Sequence, residues 1–513
     1  MMKKTTIYMI AVCIAGAFTS IRAQGPPRAS EIRDRVHREL PRALDDYRAF
    51  LRLPNDGHFP EQMQINVDWV HERFASLGFA SEVLVSDGVP HVFAERRVEG
   101  AQATVLFYLQ IDGQPVDTSA WDQSSPFEPA LKQSRDAAWE EVPWERLKTD
   151  YDPDYRVFAR SASDSKGPAI CFLTALKLMN EAAWTSDYHI KVIADFQEEM
   201  GSPTLSPLVE NNRDRFAADV MLIMDGTRHL SNLPTLTFGA RGLATMRLTV
   251  YGAERNLHSG QYGNFAPNPV FKLSRLLAGM KDEQGRVIIP GYYEGVVLSE
   301  SEKALINDVP EQLEEIKASL GIAEADAVGA TYQEALQYPS LNVRGLRAAW
   351  VWGGVRTIIP NTAVAELDLR LVPETPGERQ VALIRDYIRK SGYHIVADEP
   401  TRDERLQYAN LIRVNHRVGS KPFRTDMQSD LGLWLESALK RLYGAQYVKM
   451  RTTGGSQPIA PFINTLGVPA VSVRIPNPDN NIHAPNENLR VGNFSEGIET
   501  CLSILTQPWQ HDR

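Results

Sequence analysis

The sequence predicts an α/β fold: a mainly parallel sheet flanked by helices, with a smaller α+β unit inserted into it. Three observations carry this. Short apolar runs alternate with helical periodicity through the first half of the chain, as in parallel-sheet domains. From about residue 239 the strands alternate apolar and polar residues instead, the pattern of half-exposed antiparallel strands. Near Thr425 the helix–strand alternation resumes, so the second pattern interrupts the first. At 513 residues the chain also exceeds the about 250–300 residues at which a single core stops growing.

Taken in order, residues 1–23 have the features of a secretory leader. Lys3 and Lys4 precede an apolar run over 7–18, shorter than the about 20 residues a bilayer needs, and small Ala23 marks the cut. The expectation is a secreted or periplasmic chain starting at Gln24, with no stable membrane anchor. Cys13 would leave with the leader, and sequence does not decide whether Cys171 and Cys501 pair. Residues 29–80 are largely helical: Val67, Val70, Phe74 and Leu77 share one face, and Gly78 is a stop. Strands are expected at 81–85, 91–95, 104–109, 190–196 and 220–224, with a buried helix at 169–180. The inserted unit has strands at 244–250 and 364–371 and an amphipathic helix at 378–390. Residues 293–339, rich in Glu and Ala, read as extra helices on it. A helix at 431–443 and a strand at 470–473 complete the larger unit. The expected division is therefore 24–238 and 421–513 for the larger unit and 239–420 for the insert.

Composition narrows the chemistry. With 43% hydrophobic residues, 23% charged and a net charge of −9, the chain is globular and lacks the basic surface of a nucleic-acid binder. Three cysteines cannot build a disulfide framework or a cysteine-rich zinc site, so any metal must rest on histidines and carboxylates. Four acidic segments follow or flank predicted strands: 108–117 with Asp112, 161–168 with Asp164, 195–202 with Glu198 and Glu199, and 224–226 with Asp225. A late loop, 481–487, adds His483. Each alone reads as a helix cap or a solvated turn. Their order and spacing say otherwise.

Five pieces occur in one order: Asp112-Gly113-Gln114-Pro115-Val116-Asp117 with Trp121 and Pro126-Phe127; Ser163-Asp164-Ser165-Lys166-Gly167-Pro168; Glu198-Glu199-Met200-Gly201-Ser202; Leu257-His258-Ser259-Gly260; and Gly454-Gly455-Ser456. On these the chain resembles the dinuclear zinc aminoacylase/carnosinase metallohydrolases, which include carnosine dipeptidases, glutamate carboxypeptidase and succinyl-diaminopimelate desuccinylase. The carnosine-dipeptidase branch is nearest, over nearly the whole mature chain. The resemblance implies a catalytic domain with an inserted lid and dimerisation domain, two divalent ions (zinc, with manganese or cobalt as alternatives) and a homodimer formed through the lid. It implies that Asp164 bridges the ions, that Glu199 and His483 complete one shell, and that Asp225 serves the other. Glu198 would be the general base, with Asp112 also counted among the catalytic residues, and the Asp164–Ser165 peptide bond would be cis. His258 would stabilise the oxyanion from the partner subunit. Arg370 would grip a substrate carboxylate through its planar fork, with Thr357, Asn361, Gly455 and Ser456 nearby.

One position departs from the family. Its first motif is His-x-Asp, and here it is Gln110-Ile111-Asp112. Three readings stand. Asp112 could accept from the Gln110 amide so that the amide oxygen faces a weak second ion, or a harder one such as manganese. The enzyme could use only the Asp164–Glu199–His483 ion. Or the chain could be an inactive homologue, although Glu198, Asp164, Glu199, Asp225, His258 and His483 are all kept. The leading function is a secreted metallopeptidase cleaving dipeptides or short peptides that carry a free carboxylate. The alternatives are a deacylase of N-acyl amino acids and a peptide-binding protein without turnover.

Overall fold

A computed structural model describes residues 25–509 apart from 137, 150 and 458; the expected leader and Cys13 lie outside the described residues. The N-terminal helices Ala29–Leu51 and Pro60–Ser76 form where predicted. In the first, Ile32, Val36, Leu40, Leu44, Tyr47 and Leu51 recur at three- and four-residue steps, and all are buried. Helix Lys166–Glu181 is apolar nearly all round and buried accordingly.

The central sheet has eight strands, in the order Ala80–Ser86, Val89–Arg96, His189–Asp195, Thr104–Gln110, Val220–Ile223, Ala470–Arg474, Thr235–Thr237 and Val448–Met450. The four strands in its middle, from His189–Asp195 to Ala470–Arg474, are mutually parallel. Antiparallel pairings frame them on both sides. The expected mainly parallel sheet is therefore parallel at its centre and mixed at its edges. The parallel strands are buried on both faces, which their unbroken Val, Ile and Leu runs require. Helix Lys166–Glu181 covers one face; Phe172 stacks on Phe107 with ring centroids 4.6 Å apart.

The second sheet runs Ser340–Arg347, Thr362–Leu371, Gly242–Tyr251, Leu411–Val418 and His394–Val396. Thr362–Leu371 is buried at every second residue, the alternation seen in its sequence. Its inward residues Ala365, Leu367 and Leu369 join Val381, Ile384 and Ile388 of helix Gly377–Lys390 in an apolar cluster separate from that of the central sheet.

A third sheet was not expected. Ala130–Arg135, Ala138–Glu141, Arg156–Phe158 and Asn488–Arg490 form four short antiparallel strands. Pairing of Asn488 with Phe158 brings the late 481–487 loop against the segment leading into Asp164.

The helices of the 293–339 segment, Glu300–Asn307, Leu313–Leu320 and Tyr332–Ala335, correct the expectation that they belong to the insert alone. Leu305 packs on the main apolar cluster, and Arg451 donates to Gln337 Oε1 at 2.6 Å and pairs with Glu302. Cys171 and Cys501 are both buried free thiols.

Phe172→Ala should lower stability by about 3–5 kcal/mol, since it empties a fully buried aromatic site. A urea unfolding midpoint unchanged from wild type would contradict this packing.

Candidate metal centre and substrate site

Parallel strands aim their C-terminal ends at one edge, where α/β proteins place their chemistry. Here four adjacent strands deliver, in order, the Glu198–Glu199 turn, Gln110 to Asp112, Asp225 and Arg474. The Asp164 turn meets them at the N-terminus of helix Lys166–Glu181, and its Asp164–Ser165 bond is cis as expected. His483 arrives on the late loop with φ of +60°, left-handed and uncommon for a residue with a Cβ.

Among the described residues, Asp164, Glu199 and His483 place one ligand atom each within 4.8 Å of one another. His483 Nε2 lies 2.9 Å from Asp164 Oδ2 and 3.2 Å from Glu199 Oε2. Those two carboxylates raise its pKa to about 10. Glu199 Oε1 is buried with no partner, and Gln114 donates to Oε2 at 2.7 Å. Burial pushes Asp164 well above the usual carboxylate range, against the pull of His483. Glu198 is raised by burial first, then by Asp225, Asp164, Glu199 and Asp112. Asp112 is raised by burial and then by Asp195 and Glu199. Five carboxylates crowd together, and one of their buried oxygens, Glu199 Oε1, has no partner. This donor set fits a divalent cation of the zinc or manganese kind.

Two buried acids hold these turns in place. Glu487 is fully buried and accepts from Arg160 Nη1 (2.6 Å), Ser161 N (3.0 Å), Ser163 N and Oγ (2.8 Å each) and Asp164 N (2.9 Å). Beneath the glutamate turn, Asp195 accepts from Tyr108 OH (2.9 Å), Gln197 N (3.0 Å) and Ser202 Oγ.

The expected bond from Gln110 to Asp112 does not form. Both Asp112 oxygens are taken by the backbone N–H groups of Glu198 and Glu199, at 3.0 Å each. Gln110 is 1% exposed and its Nε2 has no partner. Asp112 thus orients the glutamate turn rather than the glutamine, because the turn presents two unsatisfied amides directly to it.

The remaining candidates lie on the second sheet and the loop facing it. His258 is exposed on a two-stranded sheet opposite Ile358, and its Nδ1 accepts from Gly260 N at 3.1 Å. Thr357 O accepts from Ser259 N, and Asn361 N donates to Asn256 Oδ1, both at 3.0 Å. No hydrogen bond or ion pair among the described residues joins His258, Thr357 or Asn361 to the acidic group. Arg370 is half-buried opposite Leu243. Beside it stands a residue that the sequence reading missed. Arg241 is 7% exposed, its backbone N donates to Gly455 O at 3.0 Å, and its pKa is pushed down to about 10 by burial and then by Arg370. Arg241 and Arg370 stand close enough to repel each other, and the first is tied to Gly455 through its backbone. Arg241 lies just before the predicted strand at 244–250 with no motif around it, and only its burial marks it.

The model of Peptidase family M20/M25/M40 matches residues 106–507. The chain belongs to this family. It is an M20 metallopeptidase, with a mixed α/β architecture shared by solved M20 structures. It is 26% identical over 424 residues to the Beta-Ala-His dipeptidase of Homo sapiens, covering 82% of this chain and 77% of that one. To the Cys-Gly metallodipeptidase dug1 of Schizosaccharomyces pombe it is 25% identical over 416 residues, covering 80% and 81%. The M20 metallo-carboxypeptidase Sso-CP2 of Sulfolobus solfataricus superposes with a TM-score of 0.73 at 27% identity, covering 91% of this chain and 98% of that one.

Glu487→Gln removes the charge that orders both ligand turns of this M20 chain. Zinc affinity, measured by competition with a chelator, should fall about 10- to 100-fold; unaltered retention would show that Glu487 does not position the ligands.

Proposed function

We propose that this M20 enzyme is an exported dipeptidase that hydrolyses the amide bond of dipeptides or short peptides bearing a free carboxylate. The observation that carries the reading is Glu198. It is a desolvated carboxylate outside the Asp164–Glu199–His483 set, directly beside it in sequence, with a pKa raised towards that of a general base. When bound, a divalent ion supplies Lewis acidity that polarises the scissile carbonyl and acidifies water. Glu198 then takes the proton of the attacking water and hands it to the leaving amine. Asp112 holds the Glu198 backbone, so that the carboxylate meets the water in a fixed direction. Arg370 and Arg241 take the substrate carboxylate, assisted by donors from Gly455 and Ser456. The relatives, a Beta-Ala-His dipeptidase and a Cys-Gly metallodipeptidase, support dipeptides as the substrate class.

His258 makes no bond to the acidic group within a single chain, which supports its stabilising the oxyanion by a hydrogen bond across a homodimer. An exposed apolar patch on the same unit supports that pairing: Phe265, Trp350, Val351, Trp352 and Val355 are all largely solvent-facing. The leader-like N-terminus supports export, and among the described residues no helix is long and apolar enough to cross a membrane.

Glu198→Gln should lower kcat by about 10²–10⁴-fold with metal content unchanged. Turnover near the wild-type rate would remove Glu198 from the mechanism. A panel of dipeptides against N-acyl amino acids separates peptidase from deacylase. Turnover of neither with zinc or manganese present would leave the binding-protein reading. Arg370→Ala should reduce kcat/KM roughly 10- to 100-fold for free dipeptides, the worth of a charge-assisted pair. Their C-terminal amides should be affected far less; an equal loss on both would mean that Arg370 does not read the carboxylate.

A further inference from the structure

Two ions are expected from the family resemblance, and the residues around Asp225 do not fit the second. The imidazole that would ligate it is replaced by Gln110, whose amide nitrogen is buried without a partner. An amide oxygen is a poorer ligand than imidazole for ions of the zinc class. Asp225 is already engaged by neutral donors: Oδ1 accepts from Ser165 Oγ at 2.6 Å and Oδ2 from Gln457 Nε2 at 3.4 Å.

Next to Asp225 stands a cation. Strand Ala470–Arg474 runs parallel to Val220–Ile223 with Ser472 opposite Ile223, so two residues further on Arg474 comes level with Asp225. The Arg474 side chain is buried and passes directly over Gly226. A Cβ at Gly226 would come within 1.3 Å of Arg474 Nη1. The backbone there has φ of +92°, so glycine serves both the turn and the close passage of the guanidinium. Arg474 Nε donates to Thr237 Oγ1 at 3.3 Å, and Nη2 is buried with no partner. Burial lowers the pKa of this group, and the charges that oppose the fall are Asp225 and then Asp164. A guanidinium keeps its proton even when buried and cannot ligate a metal. Its fixed positive charge therefore repels a dication from the pocket it faces.

We infer that the chain holds one divalent ion, at Asp164, Glu199 and His483, and that the Arg474 guanidinium supplies the positive charge of the second site. A glutamine in place of the expected histidine at Gln110 and a cation at Arg474 converge on the same acid from the two strands that flank its own. Arg474 touches no ligand atom of the first ion; it is a positioning residue that acts through Asp225 and Asp164. Either change alone would leave the second site unusable, so restoring the histidine is not sufficient to restore the ion.

The test is a metal count on the full chain, stripped, reloaded with excess zinc or manganese, desalted and measured by plasma mass spectrometry. Wild type is expected to hold one ion per chain, and Gln110→His also one. Gln110→His combined with Arg474→Met is expected to hold two. Arg474→Gln is made in the same background, so that the outcome does not depend on the folding of one variant. Two ions in wild type would overturn the proposal outright. Two in Gln110→His alone, or one in both folded double variants, would overturn the part assigned to Arg474. Metal counts do not depend on which amide is cleaved, so failure here is distinct from failure of the proposed reaction.

Discussion

The site depends on one buried carboxylate. Glu487 lies four residues after His483 and more than three hundred after Asp164, yet its two oxygens collect the backbone and side-chain donors of the whole Ser161–Asp164 turn. Those N–H groups sit at the mouth of a helix, where no intrahelical partner exists. A buried anion there satisfies them and locks the loop that carries His483 to the turn that carries Asp164. Arg160 balances its charge, and breaking such a pair by removing one partner costs about 3–5 kcal/mol. The short sheet that joins Asn488 to Phe158 makes this approach possible by fixing where the late loop enters.

Around that clamp the fold concentrates negative charge that water would normally disperse. Adjacent parallel strands end side by side, so Asp112, Glu199 and Asp225 emerge close together, and burial raises Asp112, Asp164 and Glu198. Such an arrangement persists only with cations in it. The sheet supplies one of its own in Arg474, while His483, held between two acids, marks where an external one enters. Asp195 ties the glutamate turn from below, through Tyr108 and Ser202.

Much of this was legible in the sequence because it is local. Periodicity located Thr362–Leu371 and helix Gly377–Lys390 almost to the residue, since each buries one face against one partner. Acids at strand ends were legible because the turn after a buried strand has few other reasons to carry paired carboxylates. What escaped was long-range or unpatterned. Glu487 reads as the polar end of a loop until the third sheet brings it to Ser161, and strands as short as Arg156–Phe158 leave no periodic signal. Arg241 and Arg474 read as ordinary arginines at strand ends; their meaning lies in burial, which sequence does not record. Gln110 was legible as a departure but not its consequence, because the amide finds Asp112 already occupied by the turn opposite.

The helices of residues 293–339 acquire a role from the same reasoning. Gly455 is exposed, and a Cβ there would meet nothing within 4 Å, so no side chain of its own can fix it. Its carbonyl is instead held by Arg241 N, and the Arg241 side chain is anchored in turn on Tyr338 O at 2.8 Å. Arg451, four residues earlier on the same loop, is gripped by Gln337 and Glu302. Glu311 joins His229 of the larger unit to Gln333 of the last helix, at 3.2 and 2.6 Å. These polar ties span the two sheets without a large apolar interface. They fix the loop that faces the arginine pair while leaving the helices themselves largely solvent-exposed, which is why their sequence is rich in Glu and poor in core residues. The segment is thus a brace for the loop that carries Gly455, built from hydrogen bonds because its position between two separate cores offers little apolar surface to bury.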